Sequence, residues 1–330
     1  MKMLQTLVSG IALSLGASAH AVTVDEVIDQ MIGDYQETAT SLHAQRVSLD
    51  YTDDAVYIEL IVRGAETQVR QMVLTFIQRD DDVEARVNIY DEEIGEEFVQ
   101  DLRVLTLGLW AAPDMFPKLL PNQLDPVLDV LIEDTSEGVR LAFTNGPAVL
   151  YGAQLLDCDI LFAGDHVEWE RTGRDRMGEQ LWNEDVVFNR VELESPVTRF
   201  DNGLVTIEIR EGKGVSLAEG DQIAFDYIGV LQDGRRFDST QFQGRGMYAS
   251  AFPGGIHPEM AKGLVGIQCP TSINDESIAF QPIRKIIMPP DIAFGEEGVG
   301  PIPPNSTLYY IAMVQSIRDR TPDDPAPDSE

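Results

Sequence analysis

From about Ala55 onward, apolar side chains recur at every second position. Val56, Ile58 and Leu60 open the pattern. Met72, Leu74 and Phe76 follow, then the turn Asp80-Asp81-Asp82, then Val83, Ala85, Val87 and Ile89. This alternation predicts antiparallel hairpins with one buried face. Further strands are expected at Val139–Phe143, Asp159–Phe162, Val167–Arg171 and Val186–Val191. Two stretches have a helical period. Val24, Val27, Ile28 and Met31 fall on one face behind Thr23 and Glu26, which have capping-box spacing. Leu102–Trp110 is the second, leading into the Pro-rich bend Pro113–Pro121.

The alternation resumes after Pro196–Asn202, a stretch that reads as a linker. Ile223, Phe225, Tyr227 and Gly229 face one side, the tight turn Asp233-Gly234 follows, and Arg235–Asp238 begins the return strand. Pro258 suits the first position of a short helix with Met260 and Leu264 on its apolar side. Thr307–Ile317 alternates again, with Leu308, Tyr310, Ala312 and Val314 on one side. The fold class is β-rich and α+β. A closed barrel in the first part would leave no exposed strand edges, and a curved sheet wraps a short helix in the second. The linker implies two cores that fold independently.

Composition changes this picture in three ways. At 330 residues, 43% hydrophobic, the chain can bury two domain-sized cores. Acidic residues outnumber basic ones by 56 to 24, a net charge of -32, which repels phosphate backbones and argues against nucleic-acid binding. The same charge suits either a solvated face or recruitment of basic clients. The beginning has export-signal grammar: Lys2, an apolar core at Leu4–Gly16, and a small-residue cleavage site at Ala17-Ser18-Ala19 or Ala19-His20-Ala21. That places the mature chain in the periplasm or outside the cell. The expected division is therefore 1–21 signal peptide, 22–195 barrel, 196–202 linker, 203–320 second domain and 321–330 disordered acidic tail.

Cys158 and Cys269 fall in different domains and either form an interdomain disulfide or sit as small buried hydrophobes. The four histidines, His20, His43, His166 and His257, have no metal-ligand spacing, so no metal is expected.

Three tracts carry chemistry in their order: DYIGVLQDGRRFDST (Asp226–Thr240), FPGGIHPEMAKGL (Phe252–Leu264) and PPDIAFGEEGVGPIPPNSTLYY (Pro289–Tyr310). Together they resemble the FKBP-type peptidyl-prolyl cis-trans isomerases. The resemblance implies a proline pocket walled by Tyr227, Phe237, Ile256, Met260, Phe294, Ile302 and Tyr310. It also implies that Asp238 sits near the substrate carbonyl with Tyr227, as the catalytic pair. Any one of these aromatics alone is what an ordinary core holds; the set in register points to a pocket. The chain departs from the family at Met260, where tryptophan is usual, and at Phe294, where tyrosine is usual. His257 replaces an aliphatic residue that contributes its backbone N–H, and Gln268–Pro282 reads as an insertion. The activity implied needs no cofactor, and its partners would be proline-containing segments of exported polypeptides, with neither nucleic acid nor membrane integration.

The first domain resembles the CpeT/CpcT bilin lyases over about residues 25–195, through RTGRDRMGEQLWNEDVVFNRVE, LLDCDILF and ETQVRQMVLTFI. That family implies a lipocalin-like barrel with room for a small apolar ligand, although a bilin lyase would act in the cytoplasm and the export signal disagrees. Trp169, Trp182 and Phe188 equally suit a filled barrel core. Three readings stay open: an isomerase, a chaperone that grips chains without turning them over, and a pigment- or lipid-binding barrel with an accessory isomerase fold.

Overall fold

The computed structural model describes residues 22–62, 68–90, 101–147, 153–240, 247–250, 256–271 and 281–317. The expected signal peptide and acidic tail lie outside them, as does most of the Gln268–Pro282 insertion.

Helix α1 (Val24–Met31) begins where the capping box requires. Thr23 Oγ1 accepts from the Glu26 N–H at 3.3 Å, and the Glu26 carboxylate accepts from the Thr23 N–H at 2.9 Å. Its apolar face enters a barrel closed, among the described residues, by ten antiparallel strands. These are β1 (Gly33–Glu37), β2 (Thr40–Val47), β3 (Ala55–Val62), β4 (Gln68–Arg79), β5 (Asp82–Tyr90), β6 (Leu124–Asp134), β7 (Val139–Pro147), β8 (Leu155–Phe162), β9 (His166–Arg174) and β10 (Gln180–Arg190). Each pairs with its sequence neighbour, and β10 closes on β1 through Tyr35 opposite Arg190. Closure removes the edges, as the alternation implied. β1, β2 and β6 are additions to the expected strands.

The barrel interior holds Leu42, Leu60, Leu74, Phe76, Phe162, Trp169 and Phe188 around α1. Trp182 departs from expectation: it lies half-buried over Gly173, where a Cβ would meet its ring at 2.2 Å. α1 closes the end near Gln78, whose side chain accepts from the Val24 N–H. Toward Arg70, on the same strand, Leu60, Trp169, Phe188 and the Arg171–Glu184 pair line a recess. Cys158 accepts a hydrogen bond from Trp169 inside this barrel, and Cys269 is buried in the other core; neither is in a disulfide, which overturns the interdomain pairing.

The second sheet runs β11 (Val197–Arg199), β12 (Val205–Arg210), β18 (Ile283–Met288), β19 (Leu308–Ile317), β14 (Gln222–Leu231) and β15 (Arg236–Ser239), with β16 (Met247–Ser250) also on β14. A small ladder joins β13 (Val215–Ser216) to β17 (Gln268–Cys269). One face of the sheet packs on helix α3 (Pro258–Leu264). The stretch expected as a linker is in part the first strand of this sheet: Val197, Thr198 and Arg199 pair with Ile207, Thr206 and Val205.

The other face is covered by the barrel domain, so a third apolar layer is added between the two expected cores. Helix α2 (Leu102–Thr106) and the short 3-10 turns after it contribute Leu102, Leu105, Leu109, Phe116 and Leu119. From the barrel wall come Ala55, Tyr57 and Val73, and from the second sheet Val205, Ile207, Val230, Ile287 and Tyr309. Strand β3 is therefore buried on both faces, with Val56, Ile58 and Leu60 in the barrel and Ala55 and Tyr57 in this layer.

Candidate active site

Strand alternation sets the site. On β14, Phe225, Tyr227 and Gly229 point toward α3, while Ile228 and Val230 point toward the barrel domain. On β19, Tyr310 faces the site and Tyr309 the interdomain layer. Gly229 lies opposite both Tyr310 and Asp238 in register. A Cβ at Gly229 would come within 2.7 Å of Phe237 and 3.0 Å of Tyr310, so the missing side chain makes room for those two rings.

The rings form a continuous apolar surface. Phe225 stacks on Tyr227 with centroids 5.6 Å apart, Tyr227 lies 6.0 Å from Tyr310, and Phe237 meets Tyr310 edge-on at 5.4 Å. Such arrangements suit the ring quadrupoles. Met260 and Ile302 are buried in the same cluster, and Phe237, Ile256 and Phe294 are partly buried against it. One carboxylate enters this surface: the Tyr227 hydroxyl donates to Asp238 Oδ2 at 2.5 Å. Burial, aided by the Asp238 charge, raises the Tyr310 hydroxyl well above the ordinary tyrosine range, so it stays protonated at neutral pH.

Helix α3 is placed by its ends. The His257 imidazole caps it, Nδ1 accepting from the Glu259 N–H at 3.2 Å, and the ring meets Phe294 edge-on at 5.4 Å. His257 is thus a half-buried packing residue rather than an exposed one, and burial lowers its pKa. At the other end Arg284 donates to the carbonyls of Gly263 at 3.0 Å and Val265 at 2.9 Å while its other nitrogens hold Glu208. Gly263 lets the helix lie against Ile286, which a Cβ would approach to 2.9 Å.

All nine residues named from the sequence, Tyr227, Phe237, Asp238, Ile256, His257, Met260, Phe294, Ile302 and Tyr310, gather on this one face. Phe225 and Gly229 were missed as site residues. Their signal was present, since both share the alternation of Tyr227. The cluster sets one hydrogen-bonded carboxylate among apolar and aromatic side chains.

Residues 214–314 match the FKBP-type peptidyl-prolyl cis-trans isomerase family. The FKBP-type isomerase FkpA of Escherichia coli K12 is 29% identical over 137 residues, covering 42% of this chain and 46% of FkpA. FK506-binding protein 2 of Yarrowia lipolytica is 31% identical over 100 residues, 30% of this chain and 62% of that protein. A crystal structure of FkpA from Escherichia coli aligns with a TM-score of 0.32 at 29% identity, over 41% of this chain and 54% of that one. The chain spans about half the length of the FkpA relatives it matches. The C-terminal domain of this chain is an FKBP-type domain, and the barrel before it lies outside the matched residues.

Proposed function

We propose that the C-terminal domain accelerates cis-trans isomerisation of X-Pro bonds in exported polypeptides. The reading is carried by the pairing of Asp238 with Tyr227 at the edge of an otherwise apolar aromatic surface. Rotation about a peptide bond is opposed by amide resonance, about 18–20 kcal/mol. At the twisted transition state the resonance is lost and the amide is less polar. An apolar, water-poor surface therefore disfavours the planar ground state more than the twisted one, which is differential binding in the catalytic sense. The proline ring gains from leaving water, and Met260 with Ile302 supplies the floor. Asp238, held by the Tyr227 hydroxyl, fixes the polarity beside the turning carbonyl. The reaction needs neither proton transfer nor a covalent step. Uncatalysed X-Pro isomerisation takes tens to hundreds of seconds, slow enough to limit folding. Export follows from the sequence grammar of Lys2 and Leu4–Ala21.

A protease-coupled assay on the full chain is expected to give a rate above background. Met260→Trp should raise kcat/KM or tighten binding of an FK506-type macrolide, because methionine fills the floor without a rigid plane. A wild-type rate at background, with a control isomerase active, would replace this reading with that of a binding module.

A further inference from the structure

Phe237 and Asp238 lie on a weakly supported piece of sheet. β15 has four residues and, among the described residues, pairs in the ladder with β14 alone. Gly229 pairs with Asp238, but Val230 pairs with Arg236, which leaves Phe237 as the extra residue of a bulge. Bulges of this kind re-aim a side chain at the cost of ladder bonds.

The barrel domain supplies what the ladder lacks. The Asp101 N–H donates to the Gly234 carbonyl at 2.8 Å, and Gln123 Nε2 donates to the Asp233 carbonyl at 3.2 Å. Leu102 seats against Gly234, whose φ of +85° and absent Cβ allow the approach; a Cβ there would come within 2.6 Å of the leucine. The Asp101 carboxylate then reaches Arg236 Nη2 at 2.5 Å, in a pair whose side chains are only 13% and 12% exposed. The other carboxylate oxygen caps α2, accepting from the Val104 N–H at 3.1 Å. Arg236 immediately precedes the bulge. The backbone of Phe237 is thus held from one side by Arg236 on Asp101 and from the other by Asp238 on Tyr227.

We infer that Asp101, a residue of the barrel domain, is a positioning residue for the isomerase site, acting through Arg236 to fix Phe237 and Asp238. The inference rests on the isomerase reading above. A charge-assisted hydrogen bond at low exposure is strong and directional, so its loss frees the bulge. A displacement of about 1 Å at a reacting group can cost as much as 100-fold in rate.

The test uses the full chain with Asp101→Asn and Arg236→Gln, singly and together. Asparagine still caps a helix, so α2 keeps its N-terminus while the ion pair is lost. Each single variant is expected to lose about fivefold to twentyfold in kcat/KM and to weaken FK506-type macrolide binding in parallel. The double variant should lose no more than the worse single one, as for two groups acting as a unit. Asp101→Asn is expected to lower the melting temperature, because the largely buried Arg236 charge loses its carboxylate, so rates are compared well below the transition. Wild-type rate and macrolide affinity in both single variants would overturn the inference and leave the isomerase reading standing. Additive losses that track melting temperature would also overturn it, as the mark of a merely structural role. A wild-type chain at background rate would remove both.

Discussion

Lys285→Ala in the full chain is expected to lower the unfolding free energy by about 3 kcal/mol, because it leaves two buried carbonyls unpartnered at about 1–3 kcal/mol each. Lys285 lies on β18 of the second sheet, fully buried, and its Nζ donates to the carbonyls of Val104 at 2.8 Å and Leu105 at 2.7 Å in α2 of the barrel domain. The neighbouring Arg103 carbonyl is met from the barrel side by Gln71 Nε2 at 3.1 Å. A five-residue helix thus has its C-terminal end satisfied from both domains, and Lys285 is the FKBP-type domain's share. A drop in the urea midpoint is the readout, and a loss below about 1 kcal/mol would mean that water replaces the amine.

The same lysine gives the contact a pH dependence. Burial pushes its pKa down to about 7, against the upward pull of Glu59 and Asp101. A neutral amine has two N–H donors, and two carbonyls receive them. In the unfolded chain the amine titrates near 10.5. Between about 7 and 10.5 the unfolded state binds more protons, so this group's contribution to stability rises with pH across that window. Glu59 acts with the opposite sign. Burial raises its pKa although Tyr57 and Gly108 donate to it, so its contribution is full below about 4.5 and is lost as pH rises through its folded value. Wild type compared with Lys285→Met should show stability rising relative to the variant from pH 7 to 10; a flat difference would place the amine outside the linkage.

This interdomain layer was not legible in the sequence, and the reason is physical. A strand covered on both faces reads as a near-continuous apolar run, but the run does not say which element covers the second face. Val205, Ile207, Ile287 and Tyr309 belong to four positions on three strands, and nothing in their spacing pairs them with Leu105 or Phe116. One signal existed. AVYIELIV is apolar almost throughout, and a continuous run means burial on both faces. The lone Glu59 within it marks the buried polar cluster. The aromatic and apolar cluster was legible because its residues recur within three short tracts, on β14, β15, α3 and β19 and in the turns between them. The Gly229 space was not, since it exists only once Phe237 and Tyr310 meet across β14. β1 and β2 were overlooked because GDYQE and TSLHAQRV carry polar residues on both sides of a short turn.

Asp238→Val is expected to cut kcat/KM by about tenfold or more, corresponding to about 1.4 kcal/mol and upward in transition-state stabilisation. Valine keeps much of the volume and removes the acceptor of the Tyr227 hydroxyl as well as the negative charge beside Tyr310. If the carboxylate sets the field at the turning carbonyl, its loss is felt in the twisted state, where the carbonyl has changed polarity, more than in ground-state binding. Tyr227→Phe should cost less, since the carboxylate remains and the stacked contact with Phe225 is kept. Asp238→Asn separates the two contributions: it retains an oxygen that can accept from Tyr227 but carries no charge. A rate near wild type in Asp238→Asn with a deep loss in Asp238→Val would assign the role to the hydrogen bond. Equal losses would assign it to the charge. Circular dichroism close to wild type in all three variants is required for either reading. Full activity in folded Asp238→Val would mean that the aromatic surface turns the amide by apolar shape alone, and the carboxylate would then have no part in catalysis.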